Sequence, residues 1–168
     1  IEVGSIGPSR TKATWELAAS AQKKAKGVKP KILSSSPSMQ YVRSAEKNAK
    51  IGGVNKLIRF SRLDIEWLDA KLDEHEIDVV VSYPPQFRST SGNDQFAAAE
   101  NKKLAKLYKN FFYQADFFLS KKGEIVLLLK KGSYGEITAA AAAHKFTGKP
   151  LRSFRLGAEE FELVSFAK

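Results

Sequence analysis

The sequence contains no cysteine, and its 168 residues include one methionine and two histidines. The absence of cysteine excludes a disulfide framework and a thiolate metal site, and it is typical of an intracellular protein, so we expect a cytoplasmic location. His75 and His144 lie far apart in the sequence, and no metal site is expected. No apolar run approaches the roughly 20 residues that a membrane-spanning helix needs, and we find no signal peptide, internal repeat or low-complexity tract.

Acidic residues are few relative to basic ones: 18 Asp and Glu stand against 28 Lys and Arg, which gives a net charge of +10. A field of that sign attracts polyanions, and Lys and Arg contacts to phosphate supply much of the affinity of nucleic-acid binding. The alternative is a basic surface that serves solubility. The length fits one domain with a single core. Because the first residue is Ile1 and not Met, we expect upstream residues or an N-terminal domain.

Strands and helices alternate along the sequence, which predicts a doubly wound α/β domain. Seven strands are predicted at residues 1–3, 31–33, 56–60, 77–82, 124–130, 151–156 and 160–166. Helices are predicted at about 9–27, 37–51, 65–72, 96–119 and 133–146. The last two strands flank Gly157-Ala158-Glu159, which is typical of a hairpin. We therefore expect a mostly parallel seven-stranded sheet with one antiparallel strand at its end.

The strand at 77–82 runs directly into two prolines. Its centre, Val79-Val80-Val81, predicts a buried strand, and Pro84-Pro85 cannot continue one. The fixed φ of the prolines makes the turn stiff, and Tyr83 before them is held extended. Ligands of α/β sheets bind at the ends of strands, so this turn is a candidate site. An ordinary loop with two prolines is the alternative.

This element order resembles the class I S-adenosylmethionine-dependent methyltransferase fold, a Rossmann-like sheet with a C-terminal hairpin. More specifically, it resembles the RNA methylases related to archaeal tRNA methyltransferases with an N-terminal THUMP domain. The similarity is carried by residues 44–49 (SAEKNA) with 52–54 (GGV), by Asp64, and by 78–82 (DVVVS) leading into Pro84-Pro85. Residues 107–112 (LYKNFF) before 123–126 (GEIV) are also similar to the family.

The resemblance implies S-adenosylmethionine as cofactor. The implied cofactor-binding residues are Glu2, Gly4, Gly7, Ser34, Asp64 and Ser82. Ile6 and Pro8 stand where the family has glycines, and Ser34 stands where it has an acid that binds the ribose hydroxyls. Asp64 is the implied contact to the adenine amino group.

The resemblance also implies a catalytic loop. Its residues are Tyr83, Pro84, Pro85, Gln86 and Phe87. In the family, an Asn or Asp before the prolines accepts a hydrogen bond from the target amine, and an aromatic residue after them stacks on the flipped base. Here Tyr83 replaces the Asn or Asp and Gln86 replaces the aromatic residue. Phe87 or Tyr83 could stack a base, and Gln86 could accept from the amine.

Two functions are consistent with these features. The first is an RNA methyltransferase that modifies an exocyclic amine of a base in tRNA or rRNA. The second is a catalytically silent member of the same fold that binds RNA or a protein partner. A dinucleotide-binding enzyme is a third class, but Gly4-x-x-Gly7 lacks its third glycine. The candidate RNA-facing residues are Lys23, Lys24, Lys26, Lys29, Lys102, Lys103, Lys106, Lys121, Lys122, Lys130 and Lys131; a solvated surface is the alternative for each.

Four further residues are assigned structural roles. Trp15 and Trp67 lie among apolar neighbours and are predicted to pack in the core. His75 lies in a charged stretch and is expected at the surface, and His144 is expected near the C-terminus of its helix, where it can interact with the helix dipole.

Overall fold

A computed structural model of the protein describes residues 30–88 and 95–168. The chain divides into two compact units, Ile1–Ser61 and Arg62–Lys168. In the first unit, β1 (Ile32–Ser36) pairs with β2 (Ile58–Arg62), which ends at the boundary, and α1 (Met39–Ile51) contacts β1. The predicted first strand, the first helix and Trp15 lie outside the described residues.

The second unit contains four strands and two α-helices. They are, in chain order, β3 (Ile77–Ser82), α2 (Gln95–Phe118), β4 (Leu119–Lys130), α3 (Tyr134–Ala142), β5 (Thr147–Leu156) and β6 (Glu159–Ala167). The order in the sheet is β3-β4-β6-β5. β3 is parallel to β4, and β6 is antiparallel to both of its neighbours. The predicted C-terminal hairpin is therefore confirmed.

The described residues form one four-stranded mixed sheet and one two-stranded sheet, and the first of the seven predicted strands lies outside them. The four-stranded sheet differs from the prediction in one respect. The antiparallel strand β6 lies between β4 and β5, so it is not at the end. Its composition explains this position, because β6 buries Phe161, Val164 and Phe166, whereas β5 contains Pro150 and exposed charged residues that suit an edge.

The core of the second unit is aromatic. The Phe112 side chain is fully buried, and its ring centroid lies 5.5 Å from that of Phe146 and 5.3 Å from that of Phe166. The buried face of α2 has the helical spacing that the sequence predicts, with Tyr108, Phe112, Ala115 and Phe118 inside. In the described part of the chain, no helix is long and apolar enough to cross a membrane.

Two predictions of burial are wrong. Val79 and Val81 are 57% and 76% exposed: within the described residues β3 lies at the edge of its sheet, and of its apolar side chains only Ile77 and Val80 pack against the core. Trp67 is 64% exposed. The predicted helix at 65–72 is a single 3-10 turn, Ile65–Trp67, which is too short to place an apolar face on the core.

β4 begins earlier than predicted, at Leu119 directly after α2. Leu119 is buried and lies opposite Ile77, and the register then shifts so that Val79 lies opposite Glu124. Gly123 permits this irregularity, because a Cβ there would lie 2.6 Å from the Leu119 side chain and 2.9 Å from the Ser120 carbonyl oxygen. The strand therefore depends on the missing side chain of Gly123.

α3 is shorter than predicted and ends in a Schellman motif. The Lys145 N–H donates to the Ala142 carbonyl and the Phe146 N–H to the Ala141 carbonyl, with Lys145 at φ 65°. The equivalent position of α1 is Gly53, at φ 69°. His144 lies in this turn, near the helix C-terminus as predicted.

We expect Lys145→Gly to raise the free energy of unfolding by about 1 kcal/mol, because glycine adopts positive φ without a Cβ penalty. Urea unfolding followed by circular dichroism measures the change. Ala143→Gly is the matched control: Ala143 has φ −60°, so this glycine should destabilise by about 0.5–1 kcal/mol. Equal destabilisation by both glycines would contradict the prediction.

Candidate functional site

The predicted cofactor-binding residues are only partly described. Glu2, Gly4 and Gly7 lie outside the described residues. Ser34 is half-buried in β1, which extends to Ser36, so it lies within the strand and not directly after it as predicted. At the strand end, the Ser36 hydroxyl accepts a hydrogen bond from the Ser38 N–H over 3.2 Å.

Asp64 lies in the second unit, directly before the 3-10 turn Ile65–Trp67. Its carbonyl oxygen accepts a hydrogen bond from the Trp67 N–H over 3.1 Å. Its carboxylate does not cap this turn, and the residue is exposed. Within the described residues the Asp64 carboxylate has no hydrogen-bond or ion-pair partner, so it is free to accept from an external donor.

The loop after β3 begins with two exposed residues. Ser82 is the last residue of the strand and lies opposite Leu127 of β4. Tyr83 is 59% exposed, and its ring centroid lies 6.1 Å from that of Phe161, with the ring planes tilted by 60°. The Tyr83 ring thus projects at the carboxyl end of β3 with most of its surface open to solvent.

Gln86 bonds to the backbone of β4. Its Nε2 donates to the Leu128 carbonyl over 3.3 Å and also to the Pro84 carbonyl, and its Oε1 accepts from the Lys130 N–H over 2.8 Å. In the register of β3 the residue opposite Leu129 would be Pro84, which has no N–H. The Gln86 carboxamide therefore stands in for the backbone of Pro84 in the parallel ladder. Its NH₂ group donates where Pro84 has no N–H, and its oxygen accepts from the Lys130 N–H.

The next two residues are held by α2 and by the turn after β4. The Pro85 carbonyl accepts a hydrogen bond from the Tyr108 hydroxyl over 2.6 Å, and burial raises the pKa of Tyr108 well above its usual range, so the donor stays protonated. The Phe87 ring stacks on Tyr108 at 5.6 Å with planes 19° apart. The Phe87 N–H donates to the Ser133 hydroxyl over 3.1 Å.

The loop ends in a groove of about 490 Å³. The Arg88 N–H donates to Asn101 Oδ1 over 2.9 Å, and Asn101 Nδ2 donates to the Arg88 carbonyl over 2.8 Å. The Arg88 guanidinium pairs with Glu100 at 2.9 Å. The groove is lined by Phe87, Arg88, Asn101, Lys102, Ala105, Gly132 and Glu136.

The structure thus brings the predicted residues 83–87 together in a loop held by hydrogen bonds from three elements. Gln86 is committed to β4 and one face of Phe87 is covered, so Tyr83 is the exposed aromatic residue of the loop. Sequence reasoning missed Tyr108, Asn101 and Ser133. They lie 13 to 46 residues from their loop partners, and no local pattern marks them.

The described residues form a mixed α/β sheet with an inserted antiparallel strand and a proline-proline loop at the carboxyl end of β3, and solved methyltransferase structures share this Rossmann-like fold. Residues 1–158 match the family UPF0020, described as RMKL-like, methyltransferase domain. The chain belongs to this family. The predicted methyltransferase resemblance is confirmed.

Solved structures share this fold. TrmN from Thermus thermophilus is 20% identical with a TM-score of 0.61, over 88% of this chain and 40% of that chain. SMU.472, in complex with SAH, is 16% identical with a TM-score of 0.59, over 90% of this chain and 37% of that chain. PH0226 from Pyrococcus horikoshii OT3 is 11% identical with a TM-score of 0.58, over 89% of this chain and 76% of that chain. The chain spans less than half the length of the first two. No curated protein sequence matches this chain at a significant level.

Proposed function

We propose that this chain is an S-adenosylmethionine-dependent RNA methyltransferase that acts on an exocyclic amine of a base in tRNA or rRNA. The observation that carries the proposal is the braced loop at the carboxyl end of β3, which leaves Tyr83 exposed. Membership of a methyltransferase-domain family and the SAH in the similar SMU.472 structure support the cofactor. We also propose that the chain forms the seven-stranded sheet of Rossmann-like methyltransferases, with its first strand at residues 1–3.

The described residues fit a cofactor of this kind. The Asp64 carboxylate is exposed and unpartnered in the described part of the chain, as an acceptor for the adenine amino group requires. Ser82 is exposed at the end of β3. Glu2, Gly4, Gly7 and Ser34 complete the proposed cofactor set. When bound, S-adenosylmethionine supplies an electrophilic methyl group.

The loop residues act by positioning the base. Tyr83 offers its ring as a stacking surface, and base-aromatic stacking contributes about 1–3 kcal/mol per base. Gln86 and Tyr108 hold the two prolines, so that the loop does not reorganise when a base enters. Phe87 packs on Tyr108 and borders the groove, where a neighbouring nucleotide can lie.

Calorimetry with S-adenosylmethionine tests the cofactor assignment. We expect binding in the micromolar range, and Asp64→Ala should weaken it by about 10- to 100-fold, because a charge-assisted hydrogen bond contributes about 1.5–3 kcal/mol. Asp69→Ala, which removes an exposed carboxylate from the same segment, is the matched control and should bind as the wild type does. Absence of heat and of a thermal shift at millimolar cofactor would refute cofactor binding.

Transfer is tested separately, with radiolabelled S-adenosylmethionine and total tRNA or rRNA, followed by mass spectrometry of the nucleosides. The expected product carries one methyl group on an exocyclic nitrogen. A product methylated on the ribose or on ring carbon would contradict the amine assignment.

A catalytically silent RNA-binding or partner-binding module is the second candidate. It is favoured by Tyr83 in place of the family's Asn or Asp and by the commitment of the Gln86 carboxamide to β4. For this candidate, RNA binding persists without cofactor and weakens steeply with salt, and no methylated product forms.

A further inference from the structure

Three lysines form a stripe on the solvent side of α2. Lys102, Lys106 and Lys109, the lysine stripe, are all exposed and are spaced by four and three residues, which places them on one helix face. Tyr113 continues this face four residues further on and is 64% exposed. The opposite face of α2 is buried in the core and includes Tyr108 and Phe112.

The lysine stripe forms no ion pair among the described residues, although Glu136 lines the same groove as Lys102. None of its three ammonium groups takes part in an ion pair there, whereas Lys50, Lys130 and Lys131 each pair with a glutamate. The residues three and four positions away along the helix are alanine, asparagine, phenylalanine, tyrosine or lysine, and no acid is among them. Because like charges at i and i+4 destabilise a helix, the stripe does not serve the stability of α2.

The stripe begins at the candidate site. Lys102 and Ala105 line the groove together with Phe87 and Arg88 of the braced loop. From Lys102 to Lys109 the helix rises about 10 Å, at roughly 1.5 Å per residue. A chain of anionic groups that lies along this face therefore leads directly to the end of the loop that contains Tyr83.

We propose that the lysine stripe binds the phosphodiester backbone of the single RNA strand whose target base enters at the loop, with Tyr113 adding a stacking contact. The choice of RNA rests on the proposed function. Three exposed lysines in a row without ion-pair partners in the described residues match a polyphosphate chain, and the exposed tyrosine matches its bases.

The test compares two triple variants of equal charge. Lys102→Gln, Lys106→Gln and Lys109→Gln together remove the stripe. Lys47→Gln, Lys56→Gln and Lys149→Gln together remove three exposed lysines outside α2. Fluorescence anisotropy with a 20-nucleotide oligouridylate at 50–200 mM salt gives the slope of log K against log salt. We expect the slope to decrease by about 2 in the stripe variant, at about 0.7 per lost phosphate contact, and to remain unchanged in the control.

A charge reversal separates binding from stability. Lys102→Glu places an acid four residues before Lys106, so its thermal midpoint should equal or exceed that of the wild type while RNA binding weakens. This variant also keeps the proposal testable if the triple variant fails to fold. Lower stability together with unchanged RNA binding would overturn the proposal.

Two further outcomes are decisive. If the slope of log K against log salt decreased equally in both triple variants, the effect would come from net charge, and the proposal that the lysine stripe binds RNA would be overturned. Stripe-dependent binding of oligothymidylate without any for oligouridylate would overturn the assignment to RNA. Cofactor calorimetry runs in parallel: if S-adenosylmethionine does not bind but stripe-dependent RNA binding persists, the proposed function fails and the stripe stands.

Discussion

Gln86→Ala is expected to lower methyl transfer by about 100-fold and the free energy of unfolding by about 2 kcal/mol. Alanine leaves the Leu128 carbonyl and the Lys130 N–H without their partner, and each lost hydrogen bond costs about 1 kcal/mol. Under the proposed function, the loop then moves relative to the bound cofactor, and a shift of about 1 Å can reduce a rate about 100-fold. Single-turnover methyl transfer and urea unfolding measure the two effects.

Gln86→Glu is the matched control because it keeps size and shape. A carboxylate still accepts from the Lys130 N–H but faces two carbonyl oxygens without a proton, so folding favours its protonated form. Its pKa in the folded state is therefore raised above that in the unfolded chain. The folded state binds more protons, and stability is lost as the pH rises through the folded pKa. The variant should approach wild-type stability near pH 4 and fall below it by pH 8, whereas the deficit of Gln86→Ala stays constant over this range. If the stability of Gln86→Ala and that of Gln86→Glu depended on pH in the same way, the hydrogen bonding of Gln86 to the backbone of β4 would be contradicted.

Phe112→Ala should destabilise the second unit by about 3–5 kcal/mol. The ring is fully buried and contacts Phe146 and Phe166, and it also meets Phe111 edge-on at 5.2 Å, so no side chain can fill the space without moving the core. Urea unfolding followed by circular dichroism provides the measurement.

Tyr113→Ala is the control on the adjacent residue, because the Tyr113 side chain is 64% exposed. Its ring meets His144 edge-on at 6.0 Å, so the free energy of unfolding should fall by no more than about 1 kcal/mol. A loss below about 1 kcal/mol in Phe112→Ala would show that the aromatic cluster does not form the core of this unit.

The braced loop illustrates why the sequence predicts a site better than its chemistry. Pro84-Pro85 after a run of valines indicates the end of a strand, and β3 ends at Ser82. The sequence also suggests that Gln86 could accept from a substrate amine. In the structure its oxygen already accepts from Lys130, which is 44 residues away, and no spacing within the loop could indicate this partner.

Local periodicity by itself determined most of the described helices and strands. The buried face of α2 and the hairpin at Gly157 follow from patterns within a few residues, because side-chain direction repeats with the period of the helix or strand. Residues 125–129 are apolar throughout, so the alternating burial along β4 does not follow from the sequence. The family resemblance likewise depends on short motifs along the chain.

Pairing between distant segments decided the rest. The insertion of β6 between β4 and β5, the exposure of Val79 and Trp67, and the ladder role of Gln86 all depend on which segments meet. Donors and acceptors can be read from residue types, but their partners are chosen by the packing of the whole unit. For that reason the sequence alone located the loop after β3, and only the tertiary structure showed which of its side chains are held in place and which remain exposed.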